Sequence, residues 1–128
     1  MKKIYFPVIV TISLFINGCT PTSPSNPATT TIEYQLTASD PTLSLAVFYN
    51  DNNPGGGAGN FLTGWRTSFS PSNLPFTASL TVDNFQVNTI PVTVTQKILV
   101  NGIVVQEATT TMSISTGINS KQIQYTIN

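Results

Sequence analysis

Residues 92–109 read VTVTQKILVNGIVVQEAT and contain the clearest structural signal in the chain. A run rich in β-branched residues, 92–100, leads into Asn101-Gly102, and a second apolar run, 103–105, leads out of it. Apolar and polar residues alternate along the first run, which is the period of a strand with one buried face. Asn-Gly between two such runs predicts a β-hairpin, because a type I′ turn needs positive φ at both of its central residues.

Alternation of the same period continues on both sides of the hairpin. It predicts strands at 32–36, 42–50, 61–69 and 76–82, a short continuation at 85–87, and further strands at 112–115 and 121–128. No segment has the helical period of 3.6 with capping residues. The pattern therefore predicts an all-β domain, an immunoglobulin-like antiparallel β-sandwich of about seven strands, with a small barrel as the alternative. Strand order does not follow from the sequence.

The longest loop is predicted at residues 51–60, DNNPGGGAGN, because glycine and proline interrupt the strand pattern there. The glycines do not form a phosphate-binding loop, since no Gly-Lys-Ser/Thr follows them. Asp51, Asn52 and Asn53 resemble the start of a calcium loop, but an EF-hand places a glutamate where Leu62 stands. A flexible connection is therefore predicted, with no metal site.

The N-terminal segment, residues 1–18, has the parts of a secretory signal peptide. Lys2 and Lys3 precede an apolar run at 4–16, which is shorter than the roughly 20 residues that a membrane-spanning helix needs. Asn17 and Gly18 then lead to Cys19, the single cysteine of the chain. A lone cysteine cannot form an internal disulfide, so its position calls for another explanation.

The residues before that cysteine, Ile16-Asn17-Gly18-Cys19, resemble the lipobox of bacterial lipoproteins. The resemblance implies cleavage between Gly18 and Cys19 and acylation at Cys19, with palmitate as a typical acyl group. Thr20 stands where an aspartate would retain a lipoprotein at the inner membrane, which favours the outer membrane in a bacterium with two membranes. The predicted location is therefore the bacterial cell envelope, with Cys19 as the membrane anchor.

Three segments follow from this interpretation: a signal peptide at 1–18, a lipidated N-terminus with a disordered Pro/Ser/Thr linker at 19–30, and a β-sandwich domain at 31–128. The linker has no charge and no large apolar side chain, so it cannot bury enough surface to offset the entropy of ordering.

Composition excludes several kinds of chemistry. The chain has no histidine, which rules out a Ser-His-Asp or Cys-His arrangement and the usual His/Cys metal sites. Removing Lys2 and Lys3 with the signal peptide leaves three basic and five acidic residues, a net charge of −2. Nucleic acid is therefore a poor partner. We expect a protein that is not an enzyme and has no catalytic residues and no cofactor.

The domain also resembles the MmpS-type transport accessory family in the order of its motifs. These motifs are the opening strand 32–36, the Phe48-Tyr49-Asn50 end of the second strand, Trp65 after a variable loop, and the hydrophobic hairpin 97–105. The resemblance implies an accessory of exporters of the resistance-nodulation-division class.

Two functions are therefore expected as alternatives. The first is a non-catalytic, membrane-anchored envelope lipoprotein that is an accessory or interaction module for a membrane transport or assembly protein. The second is an extracytoplasmic module that binds a ligand or a glycan through Tyr49, Trp65 and loop asparagines. In a two-layer sandwich we expect Trp65 in the core, and a surface platform is the alternative.

Overall fold

The computed structural model describes residues 29–85, 90–113 and 120–128. These residues form eight strands, whose bounds are β1 Ile32–Ala38, β2 Leu45–Tyr49, β3 Gly57–Phe61, β4 Arg66–Phe69, β5 Phe76–Asp83, β6 Val92–Val100, β7 Ile103–Met112 and β8 Ser120–Ile127. One antiparallel sheet has the order β4-β1-β6-β7, and the other has the order β3-β2-β5-β8. Within the described ranges, no helix is long and apolar enough to cross a membrane.

The predicted all-β sandwich is confirmed, with eight strands in the described part where about seven were expected. In the immunoglobulin constant-type order the first two strands share a sheet. Here β1 and β2 lie in different sheets, so the likeness to that fold is one of architecture and not of strand order. The predicted signal peptide and the linker as far as residue 28 lie outside the described residues.

The hairpin that the Asn-Gly signal predicted is present and joins β6 to β7. Asn101 and Gly102 have φ values of 51° and 80°, which are the positive values that a type I′ turn requires. The pairing shifts by one residue next to the turn. Ile98 pairs with Gln106, but the next residue, Leu99, pairs with Val104 instead of Val105. β7 extends to Met112, so the prediction of a separate strand beginning at residue 112 was wrong. Residues 114–115 of that predicted strand lie outside the described residues.

The predicted loop at 51–60 was wrong in its second half, where β3 begins at Gly57. β3 pairs with β2 over its whole length, from Tyr49 opposite Gly57 to Leu45 opposite Phe61. Backbone hydrogen bonds from a neighbouring strand do not depend on side chains, so this pairing overrides the weak strand propensity of glycine. Gly57 also lies against the Tyr49 ring, which would collide with a Cβ atom at this position.

The single strand predicted at 61–69 is interrupted by a turn. Gly64 has a φ of 82°, and the Trp65 amide donates a 3.3 Å hydrogen bond to the Leu62 carbonyl. β3 therefore ends in one sheet and β4 begins in the other. Phe61 and Phe69 therefore belong to different sheets, but both pack against the core, as Trp65 does.

Two buried polar side chains join the sheets through the core. The Tyr34 hydroxyl of β1 donates a 2.7 Å hydrogen bond to the Asn50 carbonyl and accepts one of 3.3 Å from the Ser79 amide. The Gln96 amide of β6 donates to the carbonyls of Leu80 and Lys121 at 3.3 and 3.1 Å. Both side chains thus make hydrogen bonds across the sandwich, as expected of buried polar groups.

The sandwich has two ends, the linker end and the distal end. The linker end is where β1 begins, and it carries the hairpin turn Asn101-Gly102 and the loop at 70–75. The distal end is where β1 finishes, and it carries the turn at 62–65 together with Phe85 and Ile90.

Candidate functional site

A chain of aromatic rings fills the side of the core next to the edge strands β3 and β4. Its centroid distances are 4.8 Å for Phe61–Trp65, 5.4 Å for Trp65–Tyr49, 5.6 Å for Tyr49–Tyr34, 5.9 Å for Tyr34–Phe69 and 5.5 Å for Phe69–Phe76. These separations lie in the range of favourable aromatic pairs. The chain links residues from both sheets and contributes to packing at a side where β3 and β4 are not paired with each other.

The structure brings together Tyr49 and Trp65, the two aromatic residues that were predicted from the sequence as ligand or partner contacts. Both are half-buried and pack against the core. Phe61 stacks on Trp65 with an interplanar angle of 26°, so it covers part of the indole. Trp65 therefore belongs to the margin of the core, and its accessible part is at the surface of the β1–β4 side.

The loop asparagines make hydrogen bonds within the protein. Asn52 donates to the Ser70 carbonyl at 2.6 Å and accepts from the Ser72 amide at 2.9 Å, which ties the 51–56 loop to the 70–75 loop. Asn53 bonds to Asp51 through both its backbone and its side chain, at 2.7 and 3.0 Å. These amides thus hold the loops in place at the linker end.

A shallow depression lies beside the accessible part of Trp65. It is lined by Gln35, Leu36, Thr37, Gly64, Trp65 and Arg66. An aromatic ring next to an amide, a hydroxyl and a guanidinium is an arrangement that suits a polar ligand such as a sugar. Arg66 is exposed on the outer face of its sheet.

A second surface, which the sequence did not single out, lies on the outer face of β2 and β3. Phe48 is 44% exposed and Phe85 is 74% exposed, and both line one shallow depression with Ala46, Ala58 and Asn60. We call these five residues the Phe48–Phe85 surface. The exposure of Phe48 could have been predicted from the sequence. It is a large apolar residue on the face of its strand opposite Leu45, Val47 and Tyr49.

Several charged side chains of the described residues bond to a neighbouring side chain, and they do not gather at one centre. No group of three or more Cys, Asp or Glu side chains that could hold a metal ion occurs in residues 29–85, 90–113 and 120–128. Lys97 and Glu107 form an ion pair at 3.4 Å, and Asp83 accepts a hydrogen bond from Ser120.

Within the described residues, two side chains have shifted pKa values, and each shift has a local cause. Burial raises the pKa of Tyr34 above its usual range. The hydroxyl of Thr42 donates to Asp40 at 2.7 Å and lowers the pKa of that carboxyl. Tyr34 and Asp40 lie in different parts of the sandwich, so the shifts do not define a catalytic pair.

Comparison with protein-family models finds no match, and no curated protein matches the chain either. The resemblance to the MmpS-type family therefore stays a prediction. Gly18 and Cys19, the predicted cleavage and lipidation site, lie outside the described residues. Surface chemistry of the sandwich is accordingly the main source for a functional proposal.

Proposed function

We propose that the protein is a non-catalytic interaction module of the bacterial cell envelope, anchored by lipid at Cys19. Its partner in this proposal is a membrane transport or assembly protein, and Thr20 favours the outer membrane if the bacterium has two membranes. The lipobox-like residues before Cys19 support the anchor. The observation that carries the interaction is the Phe48–Phe85 surface, where two exposed rings flank small side chains.

The composition of that surface suits contact with another protein. Aromatic residues are enriched and charged residues are depleted at the centres of protein interfaces. Ala46 and Ala58 leave space between the Phe48 and Phe85 rings, so an apolar side chain of a partner can lie between them. Asp83, which pairs with Ala46 across β5 and β2, places a charge at the rim. The surface therefore has an apolar centre and a polar margin.

The class of partner follows from the resemblance of motifs to the MmpS-type family. That resemblance points to an exporter of the resistance-nodulation-division class. A binding role agrees with the lack of histidine and with the scattered carboxylates, because an enzyme's nucleophile needs an adjacent base to activate it.

The lipid anchor is tested by labelling with radioactive palmitate in a bacterial host. We expect label on the wild-type chain and on a Thr20→Ala control, and none on Cys19→Ala. One acyl chain binds a membrane reversibly, whereas two or three hold the protein stably, so the labelled wild-type protein should stay in the membrane fraction. Label that persisted on Cys19→Ala would refute the anchor.

The contact surface is tested by site-specific photocrosslinking in cells. A benzophenone side chain is placed at position 85 and, as a matched control, at Thr109, which lies on the outer face of the other sheet. We expect position 85 to capture a defined transport or assembly protein that position 109 does not. Phe48→Ser should lower the yield of that product several-fold. The same set of products from both positions would contradict the proposal.

The alternative, binding of a glycan or other polar ligand, is favoured by the depression beside Trp65. Trp65 is the only tryptophan of the chain, so its fluorescence reports directly on this place. Under the alternative, envelope glycans should shift the emission of the wild-type protein, and Arg66→Ala should weaken the response several-fold. A spectrum that no glycan changes would leave the interaction module as the better proposal.

A further inference from the structure

The start of the first strand and the tip of the hairpin are held together at the linker end. The Asn101 amide donates to the Thr31 carbonyl at 2.8 Å, and the Thr31 amide donates to the Asn101 side chain at 2.9 Å. The predicted anchor, Cys19, is joined to this point through residues 20–30, which reach at most about 40 Å when fully stretched. A lipid at Cys19 therefore tethers the domain at the end of the sandwich where the hairpin tip lies.

The hairpin tip is apolar on the strand that leaves its turn. Ile103 is 69% exposed and Val104 is 43% exposed, although both are β-branched residues that usually lie inside. Leu74, in a loop at the same end, is exposed as well. The nearest cation along the hairpin, Lys97, is paired with Glu107, so no free positive charge marks the tip.

We propose that Ile103 and Val104 insert into the interfacial layer of the bilayer that holds the Cys19 lipid. The inference rests on the proposed function, because it requires the anchor. The insertion is shallow, so the exposed turn atoms of Asn101 and Gly102 stay within reach of interfacial water, which satisfies their polar groups. The aliphatic side chains leave water for the acyl boundary, which is favourable in proportion to the area that they bury.

This placement orients the whole module. β6 has nine residues, so the distal end lies about 30 Å from the hairpin tip. The tip faces the lipid, and Phe85 and Ile90 at the distal end face away from the membrane toward a partner. Since the tip carries no free cation, insertion does not depend on anionic lipid.

The test uses the acylated full chain in phosphatidylcholine vesicles. Because the Cys19 thiol is acylated, Ile103→Cys supplies one free thiol for a nitroxide label, and Ile90→Cys supplies a matched control at the distal end. Collision with oxygen reports lipid, and collision with a water-soluble nickel complex reports solvent. We expect the label at 103 to collide with nickel several-fold less often and with oxygen several-fold more often than the label at 90. Val104→Asp should move the label at 103 back toward water.

Flotation of the vesicles separates failure of the inference from failure of the anchor. If the protein floats and both labels are equally accessible to nickel, the anchor stands and the insertion is refuted. A label at 103 that is shielded from both oxygen and the nickel complex would identify a protein contact at the tip. That result would also refute the proposed insertion. Protein that does not float, although it carries Cys19, would refute the anchor and the inference together. Added phosphatidylglycerol should leave the pattern unchanged.

Discussion

Replacing Tyr34 by phenylalanine tests how the two sheets are held together. The Tyr34 side chain is 0% exposed, and its hydroxyl bonds to the Asn50 carbonyl at 2.7 Å and to the Ser79 amide at 3.3 Å. Tyr34→Phe keeps the ring and removes both hydrogen bonds. Each is worth roughly 0.5–1.5 kcal/mol net, so we expect the free energy of unfolding to fall by about 2 kcal/mol. In a domain of this size that lowers Tm by roughly 10 °C.

The measurement is urea unfolding followed by the fluorescence of Trp65, with Tm from calorimetry. Tyr125→Phe is the matched control, because Tyr125 is exposed on β8 and its hydroxyl makes no hydrogen bond within the described part of the chain. We expect the control to change stability by less than about 0.5 kcal/mol. If Tyr34→Phe and Tyr125→Phe were equally stable, the buried hydroxyl would not join the sheets.

The same variant has a defined dependence on pH. Burial raises the pKa of Tyr34, so above pH 10 the unfolded chain loses this proton while the folded chain keeps it. The wild-type stability that Tyr34 supplies is thus complete below its unfolded pKa of 10.0 and falls as the pH rises toward its folded pKa. Since phenylalanine cannot ionise, the stability difference between the two proteins should shrink by up to about 1.4 kcal/mol per pH unit. A difference that stayed constant from pH 9 to 11 would contradict the burial argument.

Two further predictions concern the hairpin and a surface turn. Asn101→Ala removes the acceptor of the Thr31 amide and places alanine at a φ of 51°, so it should cost about 1–2 kcal/mol in urea unfolding, and Asn101→Gly, which tolerates that φ, should cost less. Thr42→Val should raise the pKa of Asp40 toward its usual value, as measured by NMR titration. Because that pKa is lowered in the folded protein, the stability that Asp40 contributes is present above its unfolded pKa of 3.8 and is lost as the pH falls through its folded value. An unchanged titration in Thr42→Val would show that the threonine hydroxyl is not the cause.

The prediction of strands succeeded where side chains alternate and failed where the backbone alone decides. The hairpin at Asn101-Gly102 and the strand β2 were predicted from residues within a few positions of one another. β3 was missed, because Gly57 and Gly59 carry no side chain to reveal an alternation. The turn at Gly64 was missed because the apolar residues on both sides of it continue the same pattern.

The candidate surfaces were predicted only in part. Tyr49 and Trp65 are aromatic residues in a chain with little charge, and the structure places their rings 5.4 Å apart. The Phe48–Phe85 surface was not predicted, because Phe85 follows the end of β5 and reaches β2 only through the pairing of those strands. The two phenylalanines are far apart in the sequence. They lie close together only because β2 and β5 are neighbours in the sheet.

The amino-acid sequence by itself determined the all-strand architecture, the hairpin and the exclusion of histidine chemistry. These depend on alternation, turn residues and composition, which are local or global properties of the chain. Only the tertiary structure decided which strands are neighbours, and therefore that Thr31 meets Asn101 and that the start of the domain lies beside the apolar hairpin tip. Pairing of distant strands depends on backbone hydrogen bonds and on the combined fit of two buried faces, and no single segment encodes that fit.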